Sequence, residues 1–345
     1  METTKETLQA PNIDREGNVL YLDQQLLDNK EVGFPRYKNK SNGLGIYNWL
    51  LEHVIYMSPK RWPFVLKLYK MFIKYSGWMK KGGWRSRLYK TGIKLYPDME
   101  KQTGTVVMPL NVDITDRGEK VVVPMELLKK SLENITFIAG MEGCLCREAN
   151  DCADYPHNLG CLFLGEAAKG VVKHGLAKQI TYEEACQRID QAAQAGLVAQ
   201  AVWIEVEQML WGVRNDLMDH FLEVCFCCPC CCIAMRLARN ATSAERHRFH
   251  PSGWTAVPNQ TKCVGCGKCT QPQNGCPVEA ISLGEDGKVV INQNLCVGCG
   301  VCVERCSLNA ISIKQTMPMR EDLREYFLKD YNLDLKVWKD TEENS

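Results

Sequence analysis

Apolar positions recur at helical spacing in several stretches of the chain. Tyr182, Ala185, Cys186, Ile189, Ala192 and Ala193 fall on one stripe, Thr181 and Glu184 stand three residues apart ahead of it, and Gly196 follows. That order predicts a helix with a capping box at its start and a glycine stop, its Cys186 a small core residue rather than a ligand. Ile46 to Met57 reads as a helix ended before Pro59, and Pro63 to Tyr75 as another, opened by proline in its first turn. In the second, Phe64, Leu68, Met71, Phe72 and Tyr75 share one face, with Lys67, Lys70 and Lys74 on another. Gly104 to Val123 reads as a hairpin, Val106 to Ile114 and Lys120 to Val123 flanking Thr115-Asp116-Arg117-Gly118. Pro124 then opens a helix over Met125 to Leu132, Ile135 to Ala139 reads as a strand, and Val202 to Glu223 as a further helix with a structural His220. Residues 1 to 43 read as an arm or loops. Beyond Ile313 a slightly acidic tail with Tyr326, Phe327, Tyr331 and Trp338 suggests a helix and strand docking on a neighbour. The class is α+β.

Composition adds limits. The chain has 345 residues, 45% hydrophobic and 24% charged, which suits a soluble globular protein of two or three domains. A net charge of +1 gives no global case for nucleic acid, and no nucleic-acid partner is expected. Met1 to Pro11 lacks the apolar core of a signal peptide, and no run reaches the length of a membrane span, so the expected location is cytoplasmic. Charge is unevenly spread, however: residues 60 to 94 hold eleven Lys or Arg and no Asp or Glu, interleaved with Trp62, Trp78, Trp84, Tyr69, Tyr75 and Tyr89. The first reading is a solvated basic face whose apolar side packs on this protein or an acidic partner. The second is peripheral contact with an anionic membrane surface on the cytoplasmic face, or on the quinone side.

The chemistry lies in 19 cysteines, clustered rather than scattered, which reads as metal ligation in a reducing compartment. Between residues 263 and 306 one pattern occurs twice. Cys263-Val-Gly-Cys266-Gly-Lys-Cys269 is followed after six residues by Cys276, and Cys296-Val-Gly-Cys299-Gly-Val-Cys302 after three by Cys306, an offset of 33 residues. Asn259-Gln260 and Asn292-Gln293 precede the runs at equal distance, and an Ala-Ile-Ser strand start follows each, at Ala280 and Ala310. Three cysteines two residues apart, on a loop eased by Gly265 and Gly267, can wrap three corners of an iron–sulfur cubane, so a fourth ligand must come from elsewhere. Zinc ribbons also use paired C-x2-C runs, but not three cysteines per run with a repeated fourth. The stretch resembles bacterial-type two-cluster ferredoxins, in which the fourth cysteine of each run ligates the other cluster. The resemblance implies two 4Fe-4S clusters, one on Cys263, Cys266, Cys269 and Cys306, the other on Cys296, Cys299, Cys302 and Cys276. Two departures are a longer loop, Thr270 to Gly275, and Ser307 where that family has proline.

Two further groups precede this module. Cys144-x-Cys146-Arg147, Cys152 and Cys161 lie within 18 residues and could ligate one cluster by themselves, with Arg147 and His157 as hydrogen-bond donors to its sulfurs; His157 reads more plainly as a turn residue after Pro156. Cys225-Phe-Cys227-Cys228-Pro-Cys230-Cys231-Cys232 places six thiols in eight residues. Adjacent side chains point apart, so these six cannot all face one cubane and suit several centres or a larger one. One or two further iron–sulfur clusters are expected on the ten, ahead of a zinc site or redox-active dithiols.

Taken as a whole, the C-x-C-R group, the cysteine-dense run and the ferredoxin pair resemble cysteine-rich iron–sulfur proteins of anaerobic bacteria and archaea over residues 100 to 316; no activity follows from this. The expected layout is an N-terminal arm and basic helical region (1–100), a Cys-rich α+β domain (101–255), a ferredoxin-like module with two iron–sulfur clusters (256–316) and a tail (317–345). With neither a dinucleotide-binding glycine fingerprint nor a P-loop, the leading function is an electron relay to a redox partner, a flavoprotein or another iron–sulfur subunit. The alternative is a reductase with catalysis at the ten-cysteine centre, fed by the ferredoxin module. A structural or redox-sensing subunit is the third reading.

Overall fold

The strand expected over Ile135 to Ala139 runs from Ile138 to Met141, next to the edge of the sheet that arranges the ten thiols of the central region. The computed structural model describes residues 12–13, 19–20, 49, 53–54, 56–81, 83–94, 104–110, 124–133, 135–203, 210–213, 221–241, 249–251, 254–271 and 275–315. Its main sheet has seven strands: β1 (Gly104–Met108), β2 (Ile138–Met141), β3 (Leu162–Leu164), β4 (Ala177–Gln179), β5 (Val198–Trp203), β6 (Leu222–Cys227) and β7 (Phe249–Pro251). They lie in the order β4-β2-β3-β6-β5-β1-β7, antiparallel except for the β1–β7 pair.

Three helices precede the sheet, α1 (Trp62–Tyr75), α2 (Trp78–Lys81) and α3 (Gly83–Lys94); α4 (Pro124–Leu132), α5 (Leu145–Ala149), α6 (Ala168–Lys173), α7 (Tyr182–Gln194) and α8 (Ile233–Asn240) are interspersed with it. The capping box of α7 is present in full, and Ala185, Ile189, Ala192 and Ala193 are its buried stripe. Such a cap contributes about 1 kcal/mol. Gly196, at φ +67°, ends the helix in the left-handed region. Cys186 is half-buried, outside every thiol group described below.

Two sequence readings are corrected. Val202 to Glu223 is not one helix: its ends belong to β5 and β6, which pair antiparallel, and only Leu210 and Trp211 of the described residues between them are helical. Val198, Ala199, Gln200, Ala201 and Val202 are all buried, so a strand covered on both faces loses the alternation that would reveal it. The hairpin of residues 104 to 123 also fails for its first arm. Both edges of β1 are taken, by β5 and β7, while Lys120 to Val123 lies outside the described residues. Most of the helix expected over 46–57 lies outside them too, as does the tail beyond 315; Met57 is not helical. In the N-terminal arm Asn12–Ile13 pairs with Val19–Leu20.

Helix α1 begins with Trp62 and Pro63 as expected, and it packs on the cysteine-bearing region. Trp62 Nε1 donates to Glu148 Oε2 at 2.5 Å, and Lys70 Nζ to Asp151 Oδ2 at 2.9 Å. The helix is apolar on more than one side: Trp62, Val65, Leu66 and Tyr69 pack against the core, while Phe64, Leu68 and Met71 are exposed.

The last unit is built from β8 (Trp254–Pro258), β9 (Ile281–Leu283), β10 (Val289–Ile291), α9 (Val301–Glu304) and β11 (Ile311–Gln315). β8 pairs with β11 and β9 with β10, both antiparallel, so the two halves of the sequence repeat become two small ribbons. No helix among the described residues is long and apolar enough to cross a membrane.

Candidate metal centres

The repeat in the sequence becomes an approximate symmetry in space. Asn259 N donates to Ala310 O and Asn292 N to Ala280 O, each at 2.8 Å, so each cysteine run is pinned to the strand start of the other. Gln260 and Gln293 do likewise, donating through Nε2 to Val289 O and Ala256 O at 2.9 Å. Gly265, Gly267, Gly298 and Gly300 have φ between +68° and +79°, bending each run so that its thiols turn inward. At Gly298 no side chain fits, because a Cβ would stand 2.0 Å from Trp254 O.

Cys263, Cys266, Cys269 and Cys306 line one cavity, and Cys276 lies with Cys296, Cys299 and Cys302. Burial, then the neighbouring thiols, push Cys299 and Cys302 well above the usual thiol range. A bound cation reverses that, since it draws thiols into the thiolate form. Four amides are already aimed at the sulfurs: Val289 N to Cys263 (3.4 Å), Ala256 N to Cys296 (3.5 Å), Ala280 N to Cys276 and Ala310 N to Cys306 (both 3.2 Å). Such N–H donors stabilise anionic cluster sulfurs. The residues therefore fit an iron–sulfur cluster in each group.

Residues 262–310 match the family model of the 4Fe-4S dicluster domain. That similarity covers the ferredoxin-like module only; no curated protein and no solved structure matches the chain. With its other cysteine groups, the match makes this an iron–sulfur protein suited to electron transfer.

The ten central thiols are placed by sheet register. Leu162 pairs with Val224 and Gln200 with Cys225, so Cys161, just before β3, comes level with Cys225 on β6 and Gln200 on β5. Strand alternation then puts Glu223, Cys225 and Cys227 on one face. Cys161 Sγ donates to Cys225 Sγ at 3.3 Å, and Cys225 Sγ to Glu223 Oε1 at 3.0 Å. Cys227 Sγ donates to Gln200 Oε1 at 3.2 Å, and Cys146 hydrogen-bonds with Cys144 and Cys232. Six thiols thus form one continuous set: Cys144, Cys146, Cys161, Cys225, Cys227 and Cys232. The other four, Cys152, Cys228, Cys230 and Cys231, form a second.

The expectation that Cys144, Cys146, Cys152 and Cys161 ligate one cluster by themselves is therefore corrected: they are shared between two sets, each completed by thiols from the dense run. The adjacent pairs Cys227/Cys228, at the end of β6, and Cys231/Cys232, at the start of α8, are divided between the sets. Cys230 and Cys231 stay together, because the chain turns there.

Arg147 is fully buried between the sets. Its Nη1 donates to Phe226 O at 2.6 Å and its Nη2 to Leu159 O, while Nε is buried without a partner. Burial works against its charge, but the thiols of Cys144, Cys228, Cys227 and Cys161 outweigh it and raise its pKa. An orphaned donor on a buried cation among thiols suits an anionic metal–sulfur centre. His157, by contrast, contacts Cys152 O at 2.8 Å through Nε2, the role of a turn residue.

Several site residues carry no motif. Gln200 and Glu223 are buried polar side chains within strands, and Trp211 Nε1 donates to Glu223 Oε2 at 3.0 Å. Tyr69 of α1 lies near Cys146, Cys225, Cys232 and Glu223; burial first, then these groups, keep its phenol protonated. Tyr155 accepts from Arg305 Nη2 at 2.9 Å and lies by Cys230 and Cys228. Only the polarity of Gln200 and Glu223 inside an apolar run could have marked them beforehand.

Proposed function

We propose that this protein relays low-potential electrons through two ferredoxin-type 4Fe-4S clusters and at least one further cysteine-ligated iron–sulfur centre, on the six-thiol set, to a redox partner: a flavoprotein or another iron–sulfur subunit. The observation that carries the reading is the Arg305–Tyr155 contact. Arg305 directly precedes Cys306 of one ferredoxin group, and Tyr155 lies against Cys228 and Cys230 of the central region. That contact brings the ferredoxin-like module against the four-thiol set, and Arg147, near Cys228 as well as Cys144, Cys161 and Cys227, links that set to the six thiols of the proposed centre. A bound cluster supplies one-electron chemistry. The chain's part is to hold the thiols, direct amide N–H groups at them and place Arg147 as a buried counter-charge.

Iron and acid-labile sulfide per chain, with EPR of the reduced protein purified without oxygen, test this. The relay predicts more than about eight of each and signals beyond the ferredoxin pair. About eight, with ferredoxin signals alone, would remove the central iron–sulfur centre.

Glu223 favours a second reading, a reductase. A buried carboxylate bonded to Cys225 Sγ and near Cys161 is a proton carrier beside an iron–sulfur centre, which a pure relay does not require. A central EPR signal that shifts when small ligands are added supports this reading; an indifferent one returns the site to relay.

Contact with an anionic membrane surface is proposed for residues 60–94. Phe64, Leu68, Met71, Trp84 and Leu88 are exposed within this wholly cationic stretch. Sedimentation with anionic vesicles, absent with zwitterionic ones and lost in a Phe64→Ser/Met71→Ser variant, is the expected result. Sedimentation indifferent to lipid charge would leave the stretch as a docking face for protein.

A further inference from the structure

We infer that Cys152, Cys228, Cys230 and Cys231 form a closed site for one divalent metal ion, zinc or iron(II), distinct from the iron–sulfur centre of the other six central thiols. The inference rests on reading the central cysteines as metal ligands, but not on the ferredoxin module.

Distance is the first ground. The four sulfurs all lie within 4.8 Å of one another, and Cys152 Sγ stands 3.6 Å from Cys230 Sγ. A metal–sulfur bond of about 2.3 Å places tetrahedral sulfurs about 3.8 Å apart. A cubane interposes four irons between its thiolates, which then stand farther from one another. Among the described residues no other four ligand groups come so close: the six-thiol set brings together only Cys161, Cys225 and the Glu223 carboxylate, and no three of the eight ferredoxin-module cysteines do so.

Support around the sulfurs is the second ground. Cys228-Pro229-Cys230-Cys231 is a turn between β6 and α8, and Cys231 N donates to Cys228 Sγ at 3.3 Å. Arg236 of α8 clamps the turn by donating to Cys230 O from Nε (3.2 Å) and Nη2 (2.9 Å). Opposite, His157 fixes Cys152 through its carbonyl oxygen. Three of the thiols are buried and Cys230 is half-buried, so the ligands are held before any ion arrives.

Charge is the third. Forming four metal–sulfur bonds releases four thiol protons and leaves a site of net charge −2. Arg147 lies beside Cys228 as a buried cation, and Tyr155 beside Cys230 carries the hydrogen bond from Arg305. Four protein ligands leave no open position for substrate. Iron would make the site a one-electron stepping stone toward Cys306; zinc would make it a staple between the α5–β3 loop and the β6–α8 turn.

The test is metal against sulfide in the full chain purified without oxygen. Cubanes contribute iron and sulfide equally, so wild-type protein is expected to hold one metal ion in excess of sulfide. Its identity, zinc or iron, separates staple from stepping stone. Cys230→Ser should remove that one ion with sulfide unchanged, while Cys266→Ser in the ferredoxin module should remove iron and sulfide together. Equal metal and sulfide in wild type would overturn the site, as would loss of iron and sulfide together from Cys230→Ser. The wild-type ratio decides even if a variant fails to fold.

Discussion

Stripping iron from the protein is expected to unfold residues 254–315 while the seven-stranded sheet persists. The ferredoxin-like segment has two ribbons of three- to five-residue strands, a four-residue helix and a single 3-10 turn. A two-stranded ribbon is marginal alone, and a unit of this size lacks the core to fold without metal or disulfide. Its buried apolar residues are mostly small or β-branched, such as Ala256, Val278, Ala280, Val289 and Val301, with Trp254 the only large aromatic among them. Eight thiols without iron face one another at the centre, several of them buried. The sheet instead has Phe163, Phe221, Leu162 and Val224 inside it and α4 and α7 packed near it. Hydrogen exchange after anaerobic chelation should show amide protection in 254–315 falling from several kcal/mol to near zero, with β2, β5 and β6 still protected. Retained protection in β8 to β11 would show that the peptide holds its fold unaided.

Replacing Arg147 by Met is the second large effect expected. The change removes the only buried cation among the central thiols of the described residues and leaves Phe226 O and Leu159 O without those donors. Each orphaned carbonyl costs about 1–3 kcal/mol, and an uncompensated buried charge about 3–5 kcal/mol. Stability measured by denaturant should drop by several kcal/mol, and the central metal should be lost while ferredoxin-type EPR signals remain. Arg147→Lys should rescue partially, restoring charge without the planar fork that reaches two carbonyls at once. Unchanged metal content and stability in Arg147→Met would mean that the guanidinium only fills space.

Local patterns were readable where one element carries its own signal. The Thr181–Glu184 box and its stripe are such a case, because cap and helix lie within a few residues. So are the glycines of the cysteine runs, whose positive φ follows from the turn each run must make. The 202–223 stretch was misread because strands buried on both faces lose their period. The grouping of Cys152 with Cys228, Cys230 and Cys231 was hidden for another reason: its members come from two loops separated by β3 to β6.

A cysteine-ligated metal protein with a ferredoxin-like end was legible in the residues alone, since ligand type and spacing are local and two equal runs build two equal loops. The neighbouring positions of six thiols in eight residues also implied that they could not all face one cubane. Which thiols lie together came from the folded chain alone. Antiparallel register sets Cys161 beside Cys225 and Gln200, and one turn after β6 swings Cys228, Cys230 and Cys231 toward Cys152. The physical reason is that a metal centre is assembled across elements, and pairing register and turn geometry carry no signature in the residues they bring together.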